Sequence, residues 1–304
     1  MSELTSEFPT EIFHYTTASG LKGILHGDNV TLWFTDYRFL NDKSEGQIFT
    51  QVYQEVCDDY RKSNKITPTE SKIMKQLDIS GKKPFAFTAY SDDEPVTHIK
   101  QMEADYYLCS FCENDDLLDM WRYYSKDSVG YAVGFKGRVM KAALEKNKAF
   151  DICSDPVGNF TCHSVVYDTD QQRALVKDAI DKFLNVVRNN GLKIGKDTLS
   201  FFNWDIRTLR FLFKHPCFVA EEEVRCILEI PRGEINDKKQ FEIKYREQNG
   251  ILVPYVEVQM DKKVITNIKI GPLAPENAIT STEQFAQAFK AGIKVTKSDL
   301  PIRF

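Results

Sequence analysis

The stretch Glu221-Glu222-Glu223-Val224-Arg225-Cys226-Ile227-Leu228 carries the densest chemistry in the chain. Read as a strand, its side chains alternate between two faces. Val224, Cys226, Leu228 and Ile230 then share an apolar face, and Glu221, Glu223 and Arg225 share the other. Carboxylates beside a guanidinium at a strand end can wall a cleft and do acid–base or electrostatic work. The same pattern also describes a solvated strand face with cross-strand ion pairs. His14 and Thr16 share one face of Phe13-His14-Tyr15-Thr16, with Tyr15 opposite. A strand histidine is either a ligand-holding group or a satisfied core or edge residue. Asn41 and Asp42 precede Glu45 by four and three residues, which suits a helix-capping pair as well as a cleft wall. Leu118, Trp121 and Tyr124 recur at helical spacing after Ser110-Phe-Cys112. Such aromatics either fill a core or make a stacking platform.

Several other chemistries lack their residues. Cys109-x-x-Cys112 has no second pair, and His98, Cys153, Cys162 and His163 do not fall at zinc-ligand spacing, so no metal site is expected. No G-x-G-x-x-G, no G-x-x-x-x-G-K-[ST] and no G-x-S-x-G occurs. A Rossmann dehydrogenase, a P-loop NTPase and an α/β-hydrolase are therefore not expected. The formal charge of −4 over 304 residues gives no bulk footprint for nucleic acid, although a local basic groove stays open. Seven cysteines, an odd number without dense spacing, argue against a disulfide scaffold and lead to a cytoplasmic expectation. The acidic, polar start is unlike a signal peptide, no lipidation motif stands at either end, and no apolar run approaches the ~20 residues of a membrane span. No membrane association is expected.

The elements that must position these groups follow from periodicity. A strand over 12–16, a helix over 18–26 with Leu21, Ile24 and Leu25 on one side, and a strand over 30–35 open the chain. Thr17 or Ser19 suits the helix N-cap, and Gly27 its left-handed end. A helix is expected over 41–60, and the charged 64–84 segment, broken by Pro68, Gly81 and Pro84, reads as an excursion. Residues 85–90 read as a strand and 91–103 as loop. Strands over 106–112, 129–135 and 160–167 enclose a helix that Asn114 or Asp115 caps and that runs to Tyr124. Helices over 171–190 and 196–213 follow. Strands over 221–230, 241–245, 251–259 and 264–270, a helix over 284–290 and an extended tail complete the chain. The expected fold is α+β, one elaborated domain over 1–304 with a helical insertion at about 168–215.

Taken in order, F-H-Y-T with G-L-x-x-I-L, N-D-x-x-E, S-F…W-x-x-Y, G-Y-A-V-G-F, K-x-x-x-F-x-x-E-x-E-x-R, Ile268-Lys-Ile-Gly-Pro272 and Ser298-Asp-Leu-Pro-Ile-Arg303 resemble a bacterial domain family of unknown function, over about residues 11–304. The opening H-Y-T strand, followed at once by G-L-x-x-I-L and a strand, is also similar to the NAD-binding half of ADP-ribosyltransferases, including DarT-like DNA-modifying toxins and RNA 2′-phosphotransferases. That resemblance implies a split, mixed or antiparallel β core and NAD as substrate. It implies His14 as the ribose-holding residue with Thr16 beside it. Glu223 or Glu221 would be the catalytic carboxylate, the E-x-E echoing the arginine-modifying branch. Tyr131, Tyr124 or Trp121 would sit against nicotinamide, and Arg225 or Arg303 would pair with pyrophosphate. Asn41 and Glu45 are further cleft candidates. The implied reaction breaks the nicotinamide–ribose bond through an oxocarbenium-like transition state, with protein, nucleic acid or water as acceptor, in a toxin or phage-defence role. Two other readings stay open: a non-catalytic nucleotide- or partner-binding module of the same fold, and a metal-dependent nuclease using Glu221, Glu223 and Asp42 or Glu45.

Overall fold

Strand β1 (Glu11–Thr16) feeds helix α1 (Ala18–Ile24) through Thr17, whose hydroxyl caps the helix by accepting from the Gly20 N–H at 3.2 Å. The helix ends before Gly27. Strand β2 (Leu25–His26) follows directly, and Gly27, at φ +68°, serves the tight turn into β3 (Asn29–Asp36) instead of the helix end. This is a computed structural model, and it describes residues 7–40, 46–63, 65–76, 87–89, 100–102, 104–125, 128–146, 159–192, 206, 208–231 and 241–302.

Helix α2 (Gln47–Lys62) buries Val52 and Val56 as the four-residue spacing requires. The expected excursion contains a helix, α3 (Pro68–Gln76). Pro68 starts it, being tolerated in a first turn whose N–H groups lack intrahelical partners. Thr67 and Glu70 form a reciprocal cap: the Thr67 N–H donates to Glu70 Oε2 at 2.6 Å and the Glu70 N–H to Thr67 Oγ1 at 3.2 Å. Strands β4 (Phe87–Ala89) and β5 (Lys100–Met102) pair as a small separate sheet, so part of the expected 91–103 loop is extended and paired. Then come β6 (Ala104–Cys112), α4 (Leu118–Tyr124), β7 (Tyr131–Lys136), α5 (Gly137–Lys146), β8 (Asn159–Ser164) and α6 (Thr169–Asn189). Asp168 caps α6. After a 3-10 turn at Pro216–Glu221 come β9 (Glu223–Pro231), β10 (Ile243–Gln248), β11 (Ile251–Asp261), β12 (Ile265–Ile270), α7 (Ala278–Phe289) and β13 (Lys294–Lys297).

The chain is a mixed α/β protein on a mixed sheet. Its order is β10-β11-β3-β6-β1-β7-β12-β13, with β2 on β3 and β8 on β9. Among the described strands of this sheet only β12 and β13 run parallel to each other, and the other pairs are antiparallel. Strands from both ends of the sequence thus share one hydrogen-bonded sheet.

Strand β6 is the pivot. Along one edge it pairs with β9 throughout, from Ala104↔Pro231 to Cys112↔Glu223. Its other edge is divided: Tyr107 and Leu108 pair with β3, and Cys112 pairs with β1. Residues 109–111 lie between, where β1 and β3 diverge. The sheet is therefore split beside Ser110.

Alternation on β9 fixes the two apolar layers. Val224, Cys226 and Leu228 point into one, with Leu21, Ile24, Met140, Leu144 and Phe289 from α1, α5 and α7. Ile227 points into the other, with α2, α6 and Phe211–Phe213. Helix α6 packs closely on α2: Tyr60 donates to Asp181 at 2.5 Å, and Arg173 pairs with Glu55 and Asp59. Of the expected 196–213 helix, residues 206 and 208–212 are helical and the rest up to 207 lies outside the described residues. Cys162 and Cys226, opposite each other on β8 and β9, form a disulfide inside the first layer. The cysteine count did not point to this bond. It joins two strands that are already paired, and Cys57, Cys109, Cys112 and Cys217 remain free thiols. Among the described residues no helix is long and apolar enough to cross a membrane.

Candidate functional site

The split in the sheet opens into a cavity of about 750 Å³, within the range typical of small-molecule sites. β1 and α1 form one wall, β3 and β10 another, and β6 with residues 214–225 the floor. Gly20 lets α1 press against β1, because a Cβ there would strike the Thr16 hydroxyl.

His14 stands at the split. Its Nδ1 lies 2.8 Å from the Ser110 carbonyl oxygen, which can only accept, so Nδ1 carries the proton. Nε2 is left as a hydrogen-bond acceptor. Burial lowers the His14 pKa; the Ser110 bond pulls the other way, and the Arg246 charge adds to the lowering. The imidazole is therefore neutral at pH 7. Phe111 packs against its ring in an edge contact, with centroids 5.6 Å apart.

A cluster of two carboxylates and two cations occupies the floor. Arg225 donates from Nε to Glu223 Oε1 at 2.7 Å, from Nη2 to Glu223 Oε2 at 2.9 Å, and from Nη1 to the Phe211 carbonyl at 2.7 Å. Lys214 bridges Glu223 Oε2 at 2.9 Å and Glu221 Oε2 at 2.5 Å, with the Phe218 ring over its ammonium. The Glu223 N–H donates to the Tyr167 hydroxyl at 2.9 Å, and the Ser110 hydroxyl is near enough to help lower the Glu223 pKa. Glu223 and Arg225 are buried, at 6% and 2% exposure. Burial alone would raise the Glu223 pKa. The charges of Arg225 and Lys214, with the Arg225 hydrogen bonds and a smaller contribution from the nearby Ser110 hydroxyl, outweigh it and hold the carboxyl at about 2. Burial likewise disfavours the Lys214 charge, but Glu223 and Glu221 reverse that and raise its pKa.

Glu221 arrives differently from the sequence expectation. It lies on the 3-10 turn, not on the strand, and β9 begins at Glu223. Glu222 between them adopts φ 43° and ψ 48°, a left-handed conformation costly for a residue with a Cβ. Its carbonyl is tied down by the Glu113 N–H at 2.9 Å. The reversal lets Glu221 and Glu223 meet on Lys214 without strand alternation.

The remaining candidates divide. Thr16, Tyr124 and Arg225 line the cavity with His14, Glu221 and Glu223. The Tyr124 hydroxyl donates to Glu221 Oε1 at 3.3 Å. Burial, with the Glu221 charge next, raises the Tyr124 pKa, so the phenol stays protonated. Trp121 is not brought to the cavity. It is fully buried, donates from Nε1 to Asp116 at 2.7 Å, and packs edge-on to Tyr15. Tyr131 also lies away from the lining, on β7 between two apolar clusters, because its register partners Thr16 and Ile270 set it at the strand end. Arg225 is bound to Glu223 and is therefore an anchor for that carboxylate. Asn41, Glu45 and Arg303 lie outside the described residues.

Two lining cations have no role assigned by the sequence. Lys214 opens the K-x-x-x-F-x-x-E-x-E-x-R pattern, which marks its position but not its place between the two carboxylates. Arg246 lies on β10, whose strict alternation turns Lys244, Arg246 and Gln248 to one side. Its Nη2 donates to Thr35 Oγ1 at 3.1 Å and Gln248 Oε1 at 3.2 Å, and its guanidinium lies over the Trp33 and Tyr255 rings. Among the described residues no group of three His, Cys, Asp or Glu is placed to hold a metal ion.

Chemically, the cavity offers a neutral imidazole acceptor, a fixed pair of carboxylates and a guanidinium on the far wall. No curated protein and no solved structure matches the chain. One stretch does have a counterpart: residues 120–226, from α4 through Lys214, Glu221, Glu223 and Arg225 to Cys226, match the family described as "Protein of unknown function (DUF2971)".

Proposed function

We propose that the protein is an ADP-ribosyltransferase-like enzyme that cleaves the nicotinamide–ribose bond of NAD. The observation that carries this reading is that His14, Glu221 and Glu223 line one cavity, opened where the sheet splits beside Ser110. The split between β1 and β3 also suits it, because a sheet that opens beside its central strand can admit an extended dinucleotide without a glycine-rich phosphate loop.

In this reading Nε2 of His14 accepts from a ribose hydroxyl and positions the sugar. Glu221, less buried than Glu223 and bonded by one cation and one phenol, faces the positive charge that develops as the ribose becomes oxocarbenium-like. Glu223 fixes Arg225 and Lys214, and through Lys214 also Glu221. Held at about 2, its carboxyl is a weak base and works as a fixed charge. The acceptor is a protein, a nucleic acid or water.

Full neutralisation of the Glu223 carboxylate favours a second reading, a nucleotide-binding module without turnover. Purified protein incubated with NAD, with and without cell extract, separates the two. Nicotinamide release that Glu221→Gln abolishes supports the enzyme. Calorimetric NAD binding with no release supports the module.

A further inference from the structure

Arg246 is the feature that the proposed chemistry leaves unused. Its guanidinium lines the cavity, half-buried, and its hydrogen bonds go to neutral oxygens on Thr35 and Gln248. Among the described residues no carboxylate lies within ion-pair distance of it. Lys214 and Arg225, the other cations of the lining, are both matched by Glu221 and Glu223. Glu247 also reaches the lining, but it is exposed and forms no ion pair with Arg246. The stacked rings of Trp33 and Tyr255, with centroids 4.3 Å apart, back the guanidinium and limit where it can turn. A partly desolvated cation without a counter-charge is costly unless an anion completes it. A planar guanidinium held by a stack and two neutral acceptors is suited to phosphate oxygens.

The location narrows the ligand. Arg246 and His14 line the same cavity, and the Arg246 charge reaches the imidazole. β1 and β3 pair along one edge of β6 and β9 along the other, so Glu223 lines that cavity from the opposite edge of β6 to His14. We infer that Arg246 forms an anion subsite that seats the diphosphate of a nucleoside diphosphate, with the sugar at His14. Arg246 thus takes the place that the sequence gave to Arg225 or Arg303. The subsite deepens the NAD reading, on which the sugar placement rests, but the anion subsite itself requires no bond cleavage.

The test is calorimetric titration of the full chain with ADP, adenosine and inorganic pyrophosphate, for wild type, Arg246→Gln and Arg246→Lys, at two salt concentrations. Wild type is expected to bind ADP and pyrophosphate, with affinity falling as salt rises. Arg246→Gln should weaken both by about tenfold or more while leaving adenosine binding within about twofold. Arg246→Lys, which keeps charge and loses the fork, should fall between them and serves if the glutamine variant does not fold. Unchanged ADP affinity in folded Arg246→Gln or Arg246→Lys, or no binding of ADP and pyrophosphate by wild type, overturns the subsite. ADP binding that depends on Arg246 without nicotinamide release from NAD keeps the subsite and removes the transferase reading. Release of nicotinamide that is indifferent to Arg246 does the reverse.

Discussion

His14 on β1 and Glu223 on β9 belong to strands that do not pair with each other, yet both reach one cavity from either edge of β6: the Ser110 carbonyl accepts from His14 Nδ1 at 2.8 Å, and Glu223 pairs with Cys112 at the end of the β6–β9 register. Ser110 lies opposite Arg225 in the β6–β9 register, so the same position also aligns the guanidinium that pins Glu223. The split in the sheet exposes this residue to the cavity.

The ion cluster should make stability acid-sensitive. Glu223 titrates near 2 in the fold and near the ordinary 4.5 when unfolded. Its contribution is therefore complete above about pH 5 and is lost as pH falls from 4.5 towards 2, by an amount of order 3 kcal/mol. Denaturant midpoints across this range should show the loss in wild type. Glu223→Gln should be destabilised by about 3 kcal/mol at pH 7, since it leaves Lys214 and Arg225 with too little negative charge. It should also lack much of the acid-dependent loss, and an unaltered slope would contradict the assignment.

Ligand binding should be flat with pH above neutrality. His14 is neutral there because burial keeps its pKa below the usual 6.5. Acidification would protonate Nε2 and remove an acceptor, so affinity should fall only at pH values below the ordinary histidine range. An affinity midpoint at or above 6.5, read by calorimetry from pH 5 to 8, would contradict the neutral-acceptor role.

Glu222 should tolerate glycine better than a β-branched residue. It is exposed and sits at φ 43°. Glu222→Gly should change stability by less than about 1 kcal/mol, whereas Glu222→Val should cost about 1–2 kcal/mol and loosen Glu221 from Lys214. Thermal melts of the two variants check this directly.

The cap on α3 should be worth about 1 kcal/mol, measured as the denaturation difference for Thr67→Ala. Glu70→Ala should cost more, because Glu70 is buried and also takes Arg188 Nε at 2.6 Å.

These cases show which parts of the molecule local pattern reveals. Period-two alternation correctly divided Val224, Cys226 and Leu228 from Glu223 and Arg225, because both faces of β9 are buried and register is strongly enforced. The same rule misplaced Glu221, since one left-handed residue ends the alternation and no glycine advertised it. In the sequence Pro68 reads as a breaker, although Thr67 and Glu70 around it form a start signal. The aromatic spacing of Trp121 and Tyr124 was read correctly as helical, but helical spacing does not say which of two neighbouring surfaces each ring meets; Trp121 went to the core and Tyr124 to the cavity. Arg246 was invisible because its significance lies in the absence of a nearby carboxylate, which depends on long-range pairing of β10, β11 and β3.

Nicotinamide release from NAD by wild type, His14→Ala and Glu221→Gln, each confirmed folded, decides whether the cavity beside Ser110 cleaves NAD. Release is expected from wild type and at least about a hundredfold less from Glu221→Gln, the scale of losing one transition-state charge contact, with His14→Ala impaired mainly in NAD binding. No release by wild type in the presence of cell extract, or equal release by all three proteins, would contradict it.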